Sequence, residues 1–367
     1  MFTHKELDLD RLEDVLILAC NKNEDLSIAD ELIKKDFIEI IDELDNQVRE
    51  LIKLQNPTKK FSKEELKIAV EEFFEKIERA TYGVWAFYPW KQTMVRLLPE
   101  EDFIAVRTVR NKYKITKEEQ DRLSTKKIGI IGLSVGQSVA ISLAMERLFG
   151  ELRIADFDTL ELGNMNRLRT SVLNLGLPKV TLVKREIAEI DPFMKVTVFS
   201  EGITEENMGS FFSDGGKLDL LIEECDNLSI KIESRRLAKS LEVPVIMDTS
   251  DRGMVDIERF DIEPSRPIFH GMLTGFGREI DLVDKAKESY LDMLMTILDF
   301  PKISKRGKES LSEIGKTISN WPQLGTSVIM GGAMCAHYAR KILLGETVVS
   351  GRNYIDLDHF FTSSNES

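Results

Sequence analysis

Two hydrophobic rhythms divide the chain. Up to about residue 80 the apolar positions recur at helical spacing: Phe37, Ile41, Leu44, Val48 and Leu51 share one helix face while Glu, Asp, Lys and Arg solvate the other. This face reads as packing or dimer surface. Asn56 and Pro57 close that helix, and Ser62 to Glu65 is a capping-box pattern opening a second one that runs to about Arg79. The aromatic stretch TYGVWAFYPWKQTMVRLLP, residues 81–99, reads either as a core plug or as a docking surface. A further capping box at Thr116 to Glu119 starts a short helix.

From Lys127 the period switches to strands alternating with helices, the pattern of a parallel, doubly wound sheet. KIGIIG (127–132), ELRIAD (151–156), KVTVF, LDLLIEE (218–224) and VPVIMD (243–248) read as strands. Residues 134–149, 178–191 and LSIKIESRRLAKSL read as the helices between them. MVDIERFDI (254–262) alternates apolar and charged residues, which predicts an exposed antiparallel strand. Residues 283–320 are charged and helical, and GTSVIMGGAMCAHYARKILLG (325–345) is an apolar helix whose small residues allow close packing. The expected architecture is α/β: a Rossmann-like, doubly wound, mostly parallel sheet with an antiparallel extension, in residues 106–367. An N-terminal α-helical region, residues 1–105, precedes it.

Composition narrows the function classes. The net charge of −13 argues against long-range attraction to nucleic acid or an anionic membrane. The start, MFTHKELDLDRLED, is too acidic for a signal or transit peptide, and no apolar run approaches the roughly 18 residues that span a bilayer. A cytoplasmic address is expected. Cys20, Cys225 and Cys335 form no CxxC pair, and His4, His270, His337 and His359 complete no metal motif.

The candidate chemistry lies at the ends of the strands. GLSVGQS follows strand KIGII and opens a helix, so its backbone N–H groups can face a phosphate. Gly132 and Gly136 are present, but Ser134 and Gln137 stand where a GxGxxG fingerprint has glycine, so a purely structural turn stays open. Asp156, ending the next strand, is placed to accept the ribose hydroxyls of a nucleotide. Asn164, Arg167 and Arg169 follow on a segment that can fold back over the same crevice with donors and positive charge. Lys179, just after Pro178, opens a helix, where a cation opposes the dipole unless an anion is near. In LLIEECDN, Asp226 and Asn227 follow a buried strand. Asp226 reads as a magnesium ligand or orienting group, or as the cap of the next helix.

The order GLSVGQ, DFDTLELGNMNR, GLPK, CDN resembles the ATP-binding domain of the ThiF, MoeB and ubiquitin-activating-enzyme superfamily, whose pattern is DxD, NxxR, GxxK and [T/C]DN. The closing NWPQLGTSVIMGGAMCAHYARKILLGE and YIDLD are similar to that family's last helix and strand, so the resemblance runs from about Arg107 to the end. It implies that Asp156 holds the ribose of ATP, Asn164 and Arg167 the phosphates and the attacking group, Lys179 the phosphates, and Asp226 magnesium and the reaction centre. Val135 stands where the family has a loop glycine whose backbone contacts ATP. Asp158 is left with a turn or magnesium-shell role. The resemblance also implies a homodimer in which an arginine crosses into the partner's site; Arg110 is the first candidate and Arg107 the second.

The reaction so implied is attack of a carboxylate on the α-phosphate of ATP, giving an acyl adenylate. The carboxylate belongs to a small carrier protein's C-terminus or to a small acid. The family's zinc-binding CxxC has no counterpart, because RPIFHG puts Ile268 and Gly271 there, so no zinc is expected. Cys225 and Cys335 read as buried small hydrophobes, so a thioester step is not expected. An NAD(P)-dependent oxidoreductase and a catalytically silent nucleotide-binding scaffold are the alternatives.

Overall fold

The computed structural model describes residues 13–359, so His4 and the acidic N-terminal stretch before residue 13 lie outside it. The chain divides into two compact units, one of residues 1–116 with 191–193 and the other of 117–190 with 194–367.

The first unit holds a four-stranded sheet as well as helices, which the helical reading of residues 1–80 did not include. Its elements are β1 (Leu16–Ala19), α1 (Asn23–Ile33), β2 (Glu39–Asp42), α2 (Leu44–Gln55), α3 (Lys63–Lys76), β3 (Val84–Tyr88), β4 (Thr93–Leu97) and α4 (Glu100–Arg107). The strand order is β1-β3-β4-β2. The helix expected from Phe37 begins only at Leu44, because residues 39–42 pair in parallel with β4 and the Asp42 carboxylate accepts the Leu44 N–H. Two adjacent β-branched residues, Ile40 and Ile41, favour that extended form. The aromatic stretch is a hairpin whose first strand is buried throughout, with Trp85 and Phe87 in the core. The capping box of α3 forms as expected: Glu65 N–H donates to Ser62 Oγ, and Ser62 N–H donates to the Glu65 carboxylate.

The second unit is the α/β fold. After α5 (Lys117–Leu123) come β5 (Lys127–Ile131), α6 (Leu133–Glu146), β6 (Glu151–Ala155), α7 (Lys179–Ile190), β7 (Lys195–Phe199), α8 (Met208–Ser213), β8 (Leu220–Glu223), α9 (Leu228–Ser240) and β9 (Val245–Asp248). Then follow β10 (Met254–Glu258), α10 (Leu282–Glu288), α11 (Tyr290–Ile297), α12 (Lys305–Leu311), α13 (Gly325–Leu343) and β11 (Gly351–Tyr354). The sheet order is β11-β10-β9-β8-β5-β6-β7. β7 through β9 are parallel, and β10 is antiparallel to both neighbours. The chain moves outward to β7 and then returns beside β5 as β8, so the β5/β8 crevice is the switch point where such sheets bind ligands.

The antiparallel expectation for residues 254–258 holds, but their exposure does not: every residue of β10 is buried. The charged positions survive inside because they are paired. Glu258 meets the guanidinium of Arg235, and Asp256 meets Arg352 and lies 3.0 Å from His270 Nε2. Alternation of charge therefore marked a buried ion network, not a solvent face.

Small residues set the approach of α13 to the sheet and to α6. An added Cβ on Gly331 would lie 2.1 Å from Asp248 Oδ2, and one on Gly332 would lie 2.6 Å from Ser138 Cβ. Among the described residues no helix is long and apolar enough to cross a membrane.

Candidate active site

A cavity of about 990 Å³ opens at the carboxyl ends of the parallel strands. The turn after β5 is short. Gly132 adopts φ +88° and caps α6 directly, and a Cβ there would lie 2.6 Å from the Glu224 carbonyl oxygen. Gly132 thus serves the close crossing of β5 over the end of β8, while Ser134 and Val135 in the first turn of α6 line the cavity.

Asp156 is buried and accepts backbone N–H bonds from Leu133 at 2.6 Å and Asp158 at 2.8 Å. Burial raises its carboxyl above the ordinary range against the pull of Lys179 and those two donors. It braces the turn and is not among the residues lining the cavity. Lys179 is buried rather than turned to solvent, and its Nζ lies 2.7 Å from Asp158 and 4.0 Å from Asp156. The anion that a cation at this helix start requires is therefore Asp158.

The segment after β6 folds back as expected. Arg167 Nη2 donates to Ser134 Oγ at 3.3 Å, and its buried Nε has no partner among the described residues. Burial lowers its pKa, countered by the charge of Asp226. Asn164 lines the cavity while its Oδ1 accepts the Glu161 N–H. Arg169 turns away to pair with Glu186. Gln137, at the position of the missing glycine, fastens this segment to α6 by accepting the Arg169 N–H and donating to the Arg169 carbonyl, both at 3.0 Å.

After β8 the roles of two neighbours separate. Asn227 caps α9, its Oδ1 accepting the Ile230 N–H at 3.1 Å. Asp226 is exposed to the cavity and makes no hydrogen bond or ion pair among the described residues. Asn227, rather than Asp226, is therefore the helix cap. Arg110 and Arg107 belong to the first unit, where Arg107 is bound 3.1 Å from the buried Asp191.

Two cavity carboxyls were not singled out from sequence: Glu224 and Asp248, at the ends of neighbouring strands. The Asp248 N–H donates to Glu224 Oε1 at 3.0 Å, and Asp248 Oδ2 is buried with no partner among the described residues. Burial pushes Asp248 up to about 7, and burial with the Asp248 charge raises Glu224. The strand-end rule that marked Asp156 and Asp226 applies equally to both.

A carboxyl whose folded pKa exceeds its unfolded value of about 3.9 binds its proton more tightly in the folded state, so stability declines as pH rises through that window. The melting temperature should therefore fall from pH 5 to pH 8. Asp248→Asn should show a smaller drop in melting temperature over that range than the parent; an equal drop refutes the assignment.

These elements define a Rossmann-like α/β fold with a ligand cavity at its switch point. The chain belongs to the ThiF family, whose model matches residues 107–365. An uncharacterized protein of Mycobacterium tuberculosis is 38% identical over 346 residues, 94% of this chain and 45% of that protein. The tRNA threonylcarbamoyladenosine dehydratase of Bacillus subtilis is 31% identical over 155 residues, 42% of this chain and 60% of that enzyme. The molybdopterin-synthase adenylyltransferase of Haemophilus influenzae is 26% identical over 192 residues, 51% of this chain and 76% of that enzyme. The chain thus spans less than two thirds of the first two relatives.

Proposed function

We propose that residues 106–367 form an adenylation domain that transfers AMP from ATP to a substrate carboxylate. The observation that carries this reading is that one cavity brings together the donors Arg167, Lys179 and the Ser134 hydroxyl with the carboxylate of Asp226, which makes no hydrogen bond or ion pair among the described residues. An adenylyltransferase and a dehydratase among the relatives accord with it. A carboxylate is already ionised near neutral pH and needs no activating base. Positioning and neutralisation of phosphate charge then supply the catalysis. The carboxylate oxygen forms a bond to the α-phosphorus as the bond to the bridging oxygen breaks, and pyrophosphate leaves with that electron pair.

Within this reading Lys179 and Arg167 hold the phosphates, Asn164 orients the attacking group, and Asp158 frames the ribose side from the turn that Asp156 braces. Asp226 suits a magnesium ion, because it is a cavity carboxylate with no competing partner. No group of three metal-ligating side chains occurs among the described residues, so such an ion would take its other ligands from phosphate and water. Magnesium would supply charge neutralisation on the phosphates. Arg110 is proposed to reach the site of a second copy in a homodimer.

Cys225 supports a reaction without thioester. It is half-buried and lines the cavity rather than being the expected buried hydrophobe. Its thiol nevertheless donates to Glu223 at 3.1 Å, and burial followed by the Glu223 charge raises its pKa, the opposite of what a nucleophilic thiolate requires. The test is ATP–pyrophosphate exchange with magnesium and a panel of carboxylates. Exchange dependent on a carboxylate is expected. Absence of exchange with every carboxylate, together with tight NADH binding, would favour an oxidoreductase and defeat the proposal.

A further inference from the structure

The cavity has two chemically distinct halves. Every charged residue lining it comes from the segment after β6 (Asp158, Glu161 and Arg167), the carboxyl ends of β8 and β9 (Glu224, Asp226 and Asp248) or the first turns of α7 and α9 (Lys179 and Lys231). A second part of the wall comes from α11 and residues 314–323 and contributes no charge. Leu294, Ile297 and Leu298 from α11 and its end line it with Ile314, Ile318 and Trp321 from the later stretch, interspersed with the uncharged polar Tyr290, Thr317, Ser319, Asn320 and Gln323.

That wall is held in place. α11 is anchored through Met293 and Ile297, which are 0% and 1% exposed within the main core cluster. The later stretch is tied to the nucleotide side, where Asn166 Nδ2 donates to the Gln323 carbonyl at 2.7 Å. A Cβ on Gly325 would lie 2.7 Å from the Asn166 carbonyl oxygen, so the two segments are in close contact. The total volume, about 990 Å³, lies at the upper end of the roughly 300–1,000 Å³ of ligand pockets, which leaves room for a second small molecule beside a nucleotide.

We propose that the substrate is a small carboxylic acid with an uncharged, apolar body, its carboxylate directed to Arg167 and its body seated against Leu294, Leu298, Ile318 and Trp321. The inference rests on the adenylation reading and names the substrate class of that same site. The apolar side chains of this uncharged wall favour a ligand that brings apolar surface to bury. A carrier tail ending in Gly-Gly brings no side chain to that wall, and a dicarboxylic acid would leave its second charge there unpaired.

The experiment measures ATP–pyrophosphate exchange with 4-methylpentanoate and 3-phenylpropanoate against succinate and the peptide Ala-Gly-Gly. The apolar acids are expected to show KM values at least tenfold lower than the other two. Leu294→Asp should raise their KM at least tenfold and leave the KM for ATP within twofold. Better turnover of succinate or Ala-Gly-Gly overturns this inference and leaves the adenylation reading standing, as does an unchanged KM in Leu294→Asp. If no acid supports exchange, the adenylation reading fails. The inference is then decided by Trp321 fluorescence with a non-hydrolysable ATP analogue bound. Quenching by the apolar acids that Leu294→Asp abolishes and Trp321→Phe removes upholds it. No such quenching overturns it.

Discussion

Asp226→Ala is expected to lower carboxylate-dependent ATP–pyrophosphate exchange by roughly 10²–10³-fold, the range found when one preorganised electrostatic group is removed from a reaction centre. The loss should be confined to chemistry. Asp226 makes no hydrogen bond or ion pair among the described residues, so its removal breaks neither and withdraws only its charge from near Arg167, and the melting temperature should stay close to the parent's. Asp226→Asn keeps the shape and removes the charge; a comparable loss in that variant identifies charge as the contribution. Asn227→Ala is the matched control one residue on. It removes a helix cap, which costs about 0.5–2 kcal/mol of stability, and should leave exchange per folded molecule nearly intact. Full exchange in Asp226→Ala would remove Asp226 from the mechanism.

The contrast between these neighbours shows how far the sequence reaches. A strand end followed by Asp-Asn marks a site and a cap, but only the geometry assigns the cap to Asn227 and leaves Asp226 to the cavity. The parallel strands were legible because each is a short apolar run between helical patterns. Lys179 was legible as a cation needing an anion, and Asp158 was the unassigned residue that supplies one. The N-terminal sheet was not legible, because β1 and β2 join the local β3–β4 hairpin across long separations that no local pattern records. The apolar wall of the cavity was not legible either: residues 283–320 read as charged and helical, and which side chains face inward depends on packing.

Arg235→Ala is expected to destabilise the second unit by about 3–5 kcal/mol, the cost of leaving buried carboxylates without their cation. Arg235 is fully buried, paired with Glu258, and its Nη2 lies 3.3 Å from Glu223. Lys231 still neutralises Glu223 at 2.8 Å, so the uncompensated group in the variant is mainly Glu258. Burial already raises that carboxyl, with Arg235 as the leading opposing influence. Without Arg235 its folded pKa rises further above its unfolded value, so the variant's stability should fall more steeply than the parent's as pH increases. Chemical denaturation at pH 5 and pH 8 should therefore show the larger deficit at pH 8. A second variant separates charge from packing: Arg235→Met with Glu258→Gln removes cation and anion together while keeping most of the volume, and should recover much of the loss. If the double variant is no more stable than Arg235→Ala at pH 8, the cost does not lie in the unpaired Glu258 charge but in what both variants lose, such as the guanidinium 4.4 Å from the Phe269 ring centre.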